Sequence, residues 1–267
     1  MRTNHVKQKL QAGEPSLGSW LGLASPTAAR FMAQSGFDWL TVDTEHMPID
    51  LESAAAMFGV IAAAGVAPLV RVPWNNGQNI KRVLDCGAWG IVVPMVCSRQ
   101  EADDAVGWAK HPPTGVRSIG GSLHALNFAT DPATYYARAN DEILVVLQIE
   151  HIAGVERANE ILSVPGVDAC FIGPNDLMAS MNMTPKMDSP EPAFVQALAH
   201  VRDTCQQYGV APGIHTADAS AASARLADGW QFLAIASELR MMVAGAQAEI
   251  NAVKGWQPRA AGEVMRY

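Results

Sequence analysis

Eight short apolar runs recur along the chain, and nearly every one is followed by a segment carrying helix signals. They are LGSWLGL (17–23), WLTVD (39–43), PLVRV (68–72), GIVVPM (90–95), ILVVLQIE (143–150), DACFIG (168–173), APGIH (211–215) and FLAIAS (232–237). The runs do not alternate polar with apolar, which is the pattern of strands buried on both faces. Ser25-Pro26, Asp50, Ser98 with Glu101, and Asp131 read as helix starts; Gly36, Gly65, Gly87 and Gly209 read as stops. Strand alternating with helix implies a parallel sheet with right-handed crossovers. Eight such units close a (β/α)₈ barrel, and 267 residues match the usual length of about 250. One domain over 1–267 is expected, with the tail after about 255 peripheral. The longest irregular stretch, Pro112 to Thr130, reads as an active-site lid or a contact with another subunit.

Composition narrows the function classes. A net charge of −7 and no basic patch speak against nucleic acid. No apolar run approaches the roughly 20 residues that span a bilayer, so no membrane partner is expected. The polar opening MRTNHVKQKLQAGEP has no apolar signal core, and a cytoplasmic location is expected. Cys86, Cys97, Cys170 and Cys205 lack metal-type spacing and read as free thiols.

Chemistry in such barrels gathers at the C-terminal strand ends. Asp43, Glu45 and His46 follow strand two; strand three carries Arg71; strand five ends in Gln148 and Glu150. Strand six runs into Gly173, Pro174, Asn175 and Asp176, and strand seven ends in His215. Glu150 and Asp176 lie at the ends of consecutive strands. Hard oxygen donors with open positions suit Mg²⁺ or a similar divalent ion, and two facing carboxylates need a cation. Ion pairing or helix capping by Asp176 are the alternatives. Arg71 within PLVRVP needs a partner and suits an anion or enolate, or balances a nearby carboxylate. His46 suits proton transfer near pH 7, or is a surface residue. Asp85, in the last turn of its helix, opposes the helix dipole, which hints at a task such as orienting a histidine. No lysine sits at a strand end (Lys81, Lys110 and Lys186 fall in helices or loops), which favours metal over Schiff-base chemistry.

Several segments together resemble the HpcH/HpaI aldolase family of metal-dependent pyruvate aldolases. They are WLGLASP, FDWLTVDTEHMPID, VRVP, IKRVLDCGAWGIVVPMV, PPTGVRSIG, LQIE, DACFIGPNDL and APGIHTAD, in that order over about residues 16 to 245. The resemblance implies a (β/α)₈ barrel of the phosphoenolpyruvate/pyruvate type, with its last helix exchanged between subunits in a hexamer built as three dimers. It implies Glu150 and Asp176 as ligands of Mg²⁺, Mn²⁺ or Co²⁺ and His46 as general base. Asp85 matches the acid that raises the basicity of His46, and Asp43 lies near enough to share that task. Arg71 matches the enolate-stabilising residue, Gln148 and Gly173 to Asp176 the pyruvate-binding positions, and Trp20 a tryptophan beside the substrate. The implied reaction is reversible cleavage of a 4-hydroxy-2-oxo acid to pyruvate and an aldehyde.

Departures from the pattern bear on the substrate. His151 follows Glu150, His215 ends strand seven, and SIGGSLHALNF lacks the arginine with which some members hold a distal carboxylate. Both 4-hydroxy-2-oxoheptanedioate and a 2-keto-3-deoxy sugar acid therefore stay open. A citramalyl- or malyl-CoA lyase would use the same metal pair, but no Lys/Arg cluster offers a place for CoA phosphates. A non-catalytic ligand-binding barrel and an isomerase or phosphomutase on the same scaffold are the remaining rivals.

Overall fold

In the computed structural model, which describes residues 1–257, the apolar runs form one sheet of eight parallel strands. In chain order the elements are α1 (His5–Gln11), β1 (Ser16–Leu21), α2 (Pro26–Met32), β2 (Trp39–Asp43), α3 (Leu51–Ala63), β3 (Ala67–Arg71), α4 (Gly77–Asp85) and β4 (Gly90–Val93). Then come α5 (Arg99–Ala109), α6 (Leu123–Asn127), α7 (Pro132–Glu142), β5 (Leu144–Gln148), α8 (Ile152–Glu156), α9 (Ala158–Leu162), β6 (Ala169–Phe171) and α10 (Pro174–Ser180). The chain continues through α11 (Pro192–Tyr208), β7 (Gly213–Thr216), α12 (Ala219–Ala227), β8 (Phe232–Ser237) and α13 (Glu238–Ala252). Most of the tail expected to be peripheral, residues 258–267, lies outside the described residues.

Neighbouring strands follow the order β6-β5-β4-β3-β2-β1-β8-β7. Two isolated parallel bridges, Ala169 to Ala211 and Ile172 to Ile214, join β6 to β7 and bring the ends of the sheet together as a barrel. The four helix starts expected from sequence are capped as anticipated. Ser25, Asp50, Ser98 and Asp131 each accept a backbone N–H three residues on. Gly18 admits the indole of Trp39, its register partner on the adjacent strand β2: a Cβ there would lie 2.0 Å from the ring, which in turn stacks on Phe232 at 4.3 Å. All four cysteines are free.

Three local features matter. Between β5 and β6 run two short helices, divided at Arg157. The segment after β6 is a true helix, α10, with Pro174 at its first position. Within Pro112 to Thr130 a short helix, α6, forms. That segment links the end of α5 to α7 and β5, so it lies at the N-terminal ends of the strands. A lid over this chain's own strand-end carboxylates is therefore excluded, which leaves the reading of a contact surface.

The N-terminal end of the barrel is closed by α1. Asn4 donates through Nδ2 to the carbonyls of Trp89 and Glu142, and its backbone N–H donates to Glu142 Oε2. Lys7 Nζ lies 3.1 Å from Asp168 and donates to the Ile143 carbonyl. Val6 and Leu10 are buried against the strand starts.

Candidate functional site

At the opposite end, β2 and β3 pair in a register that sets Asp43 beside Arg71. Arg71 Nε and Nη2 donate to the two carboxylate oxygens of Asp43 at 3.0 and 2.6 Å, and Nη1 lies 3.1 Å from Glu45. The guanidinium also sits 4.6 Å from the centre of the Trp20 ring. Burial alone would lower the Arg71 pKa, but the Asp43, Glu45 and Glu150 carboxylates hold it above the usual arginine value. It is a fixed positive charge with one orientation.

Asp43 also accepts the backbone N–H groups of Glu45 and His46, and so shapes the loop after β2. Its carboxylate is committed to Arg71 and to that main chain rather than to the His46 ring. The His46 side chain is 61% exposed, and its carboxylate neighbour is Glu45, with Nε2 3.8 Å from Oε2. Glu45 was noted in the sequence without a role. Here it stands between the guanidinium and the imidazole, and burial raises its pKa while Arg71 and His46 pull it down.

Glu150 follows β5 and is buried. Its Oε1 accepts the Met95 backbone N–H at 3.1 Å, and Oε2 accepts Gln148 Nε2 at 2.8 Å. Met95 holds a left-handed backbone, φ 56°, to aim that N–H. Burial, and then the charge of Asp176, push the Glu150 pKa up to about 8. Among the described residues no cationic side chain pairs with Glu150 or Asp176. Neither serves as a helix N-cap: Gly173 caps α10 and His151 caps α8. Asp176 instead lies exposed in the first turn of α10. The two bland alternatives for this pair, ion pairing and capping, thus find no support.

A divalent cation fits this donor set. Gly173 leaves the space the carboxylate needs, because a Cβ there would come within 2.3 Å of Glu150 Oε2. Among the described residues no third His, Cys, Asp or Glu joins the pair. That matches a hard cation whose remaining positions go to water and substrate oxygens. Nearby, Gln148 Oε1, Trp20 Nε1 and Thr41 Oγ1 are buried without partners. Each could be satisfied by a ligand or a water molecule.

Asp85 lies elsewhere. It ends α4 at the N-terminal side of the barrel, where fully buried Arg117 donates to it at 2.7 Å. Arg117 in turn donates to the Tyr135 hydroxyl, and His124 packs on Tyr135 at 4.0 Å. Within one chain, Asp85 and His46 are on opposite ends. The buried lysine with the most displaced pKa, Lys110 at about 7 through burial and then Lys7, is also at that far end and donates to two carbonyls. No lysine among the described residues enters the pocket beside Arg71, so the geometry offers no Schiff-base nucleophile there.

The chain is similar to known proteins along nearly its whole length. The family described as HpcH/HpaI aldolase/citrate lyase matches residues 16–244. A 4-hydroxy-2-oxo-heptane-1,7-dioate aldolase of Escherichia coli is 36% identical over 247 residues, 92% of this chain and 93% of that protein. A solved HpcH/HpaI aldolase/citrate lyase family protein from Burkholderia cenocepacia J2315 superposes with a TM-score of 0.88 at 33% identity, covering 95% of this chain and all of the other. The HpcH/HpaI aldolase of Desulfitobacterium hafniense DCB-2 gives 0.85 at 32% identity, with 94% and 98% covered. The match extends from the β1 strand that carries Trp20 into α13 and so takes in every strand together with Glu150 and Asp176. This chain belongs to the HpcH/HpaI aldolase/citrate lyase family and is an enzyme of the class II pyruvate aldolase type.

Proposed function

We propose that the enzyme reversibly cleaves a 4-hydroxy-2-oxo acid, 4-hydroxy-2-oxoheptanedioate or a 2-keto-3-deoxy sugar acid, to pyruvate and an aldehyde. The observation that carries this is the buried Glu150 carboxylate, left without a cation beside Asp176 and close enough to Arg71 to feel its charge. Glu150 and Asp176 would hold Mg²⁺, Mn²⁺ or Co²⁺. Such an ion, when bound, polarises the 2-oxo group as a Lewis acid.

The remaining work falls to the chain. Breaking the bond between C3 and C4 leaves negative charge on the three-carbon fragment. Arg71, pinned by Asp43 and Glu45 and backed by Trp20, presents a positive charge that need not reorient as that charge develops. Gln148 and the main chain from Gly173 to Asp176 orient the keto acid. His46, at the open rim, takes the proton of the 4-hydroxyl as the aldehyde departs. The buried strands beneath keep bulk water from the carbanionic carbon.

The assembly fits the same reading. Asp85 can serve His46 only between copies, since one chain places them on opposite barrel ends. A hexamer of three dimers with α13 exchanged would cover Met242, Val243, Ile250 and Val253, which that helix leaves exposed.

The test is pyruvate release from 4-hydroxy-2-oxoheptanedioate and from a 2-keto-3-deoxy sugar acid, with Mg²⁺ or Mn²⁺ and again with EDTA. Release that needs the metal is expected, and the faster acid identifies the aldehyde side. Absence of pyruvate from both acids with metal present would overturn the proposal and favour a CoA thioester substrate or a binding role.

A further inference from the structure

His215, at the end of β7, is the histidine of this pocket that the cleavage chemistry leaves unused. Its ring stacks on Trp20, with centroids 5.9 Å apart and planes at 25°, and lies 6.3 Å from the Phe171 ring. Trp20 carries Arg71 at 4.6 Å, so the imidazole and the guanidinium share one indole as a wall. His215 Nε2 is 2.9 Å from the Ala236 carbonyl oxygen. A carbonyl only accepts, so Nε2 carries the proton. Ala236 holds φ at 47°, a conformation that alanine seldom adopts.

The other nitrogen follows from this. Burial, opposed by the Ala236 bond and aided by Arg71, pushes the His215 pKa down to about 4. The ring is therefore neutral at ordinary pH, with its lone pair on Nδ1. Among the described residues nothing donates to Nδ1, and it is absent from the set of sealed, unpartnered polar atoms that includes Trp20 Nε1. It is an acceptor of fixed tautomer on a half-buried ring at a C-terminal strand end, flanked by two aromatic rings. An acceptor in such surroundings is satisfied by an O–H or N–H donor and gains nothing from a methyl or methylene. The donors that aldolase substrates bring are hydroxyl groups.

We propose that His215 is a specificity residue whose Nδ1 accepts a hydrogen bond from a substrate hydroxyl, carried by the keto-acid or by the aldehyde partner. This rests on the aldolase reading above. Sites built to bond a hydroxyl discriminate strongly against the analogue that lacks it, because their own polar group is then left bare.

The experiment compares the wild type with His215→Leu, which keeps bulk and removes the acceptor, and His215→Gln, which restores one. Exchange of the pyruvate methyl protons for deuterium with Mg²⁺, followed by NMR, comes first; it reports folding and the metal site without an aldehyde. Next come kcat/KM values for aldol addition in two pairs: hydroxypyruvate against pyruvate with one aldehyde, and glyceraldehyde against propionaldehyde with pyruvate. The expected result is unchanged exchange in all three proteins. Preference for the hydroxylated member of one pair falls at least about tenfold in His215→Leu and returns in part in His215→Gln. The pair that responds identifies which substrate bears the hydroxyl. Intact exchange with both preferences unmoved overturns the role of His215 alone. So does exchange lost in His215→Leu but present in the wild type, which would place His215 in enolate formation. A wild type that exchanges nothing refutes the aldolase reading and this proposal with it.

Discussion

The two ends of the barrel handle buried charge in opposite ways. At the N-terminal end each buried carboxylate has a cation: Lys7 for Asp168, Arg138 for Glu142, and Arg117 for Asp85. At the C-terminal end Asp43, Glu45 and Glu150 share the single guanidinium of Arg71, and burial, then the charge of Asp176, push Glu150 up to about 8. Both ends are polar and partly buried, so polarity alone does not separate scaffold from site. Charge balance does. The balanced end closes the barrel, and the unbalanced end is where the proposed metal ion and keto acid would add to the charge.

The sharpest way to break this contrast is Glu150→Ala, expected to lower metal-dependent pyruvate release by about 10³-fold, the upper range for losing a major electrostatic contributor. A near-normal rate would mean that the unbalanced end is not the metal site. Arg71→Ala should cost about 10²-fold in kcat. Because it also frees Asp43 and Glu45, the loss should grow as the pH is raised. Gly173→Ala drives a methyl into the Glu150 carboxylate and should weaken metal affinity about tenfold, measured by titrating Mn²⁺ or Mg²⁺ against activity.

A pH experiment without metal tests the balance directly. Between the ordinary glutamate value of 4.5 and about 8, folded Glu150 keeps a proton that the unfolded chain has lost. The stability of the metal-free protein should therefore fall as pH rises through that window, by an amount on the order of a few kcal/mol. Thermal melts should show the slope flattened in Glu150→Gln and reversed by added Mg²⁺. At the balanced end the expectation is opposite in kind. Lys7→Met strands Asp168 and should destabilise by about 3 kcal/mol, yet leave the rate per folded molecule within about twofold.

Much of this could be read from the chain. The β-branched runs and the capping residues Ser25, Asp50, Ser98 and Asp131 gave the alternation, because both signals are local. Glu150 and Asp176 were legible because each ends an apolar run. Contacts set by tertiary register were not. Asp43 and Arg71 are 28 residues apart and meet only because β2 and β3 pair where they do. The partner of Asp85 lies 32 residues on, inside the long irregular stretch after α5, so the helix-dipole argument recognised an unusual aspartate without locating its guanidinium. Glu45 went unassigned since its role depends on the position of Arg71. The α10 helix had one local signal, Pro174 at its first position, and a proline there serves a turn as readily as a helix start.

The seal made by α1 has a kinetic reading. With Asn4 and Lys7 bonded across the strand starts and the barrel interior packed with side chains, the site opens only toward the C-terminal strand ends. Whatever enters past His46 must leave by the same route. A substrate gripped deep, at Glu150, with its other half toward the rim, imposes a queue: the outer fragment departs first and the inner one follows. In the synthetic direction the order inverts, and an aldehyde that arrives early stands in the doorway of the keto acid. Inhibition by excess aldehyde would then be a property of the architecture, built in at the far end from the chemistry.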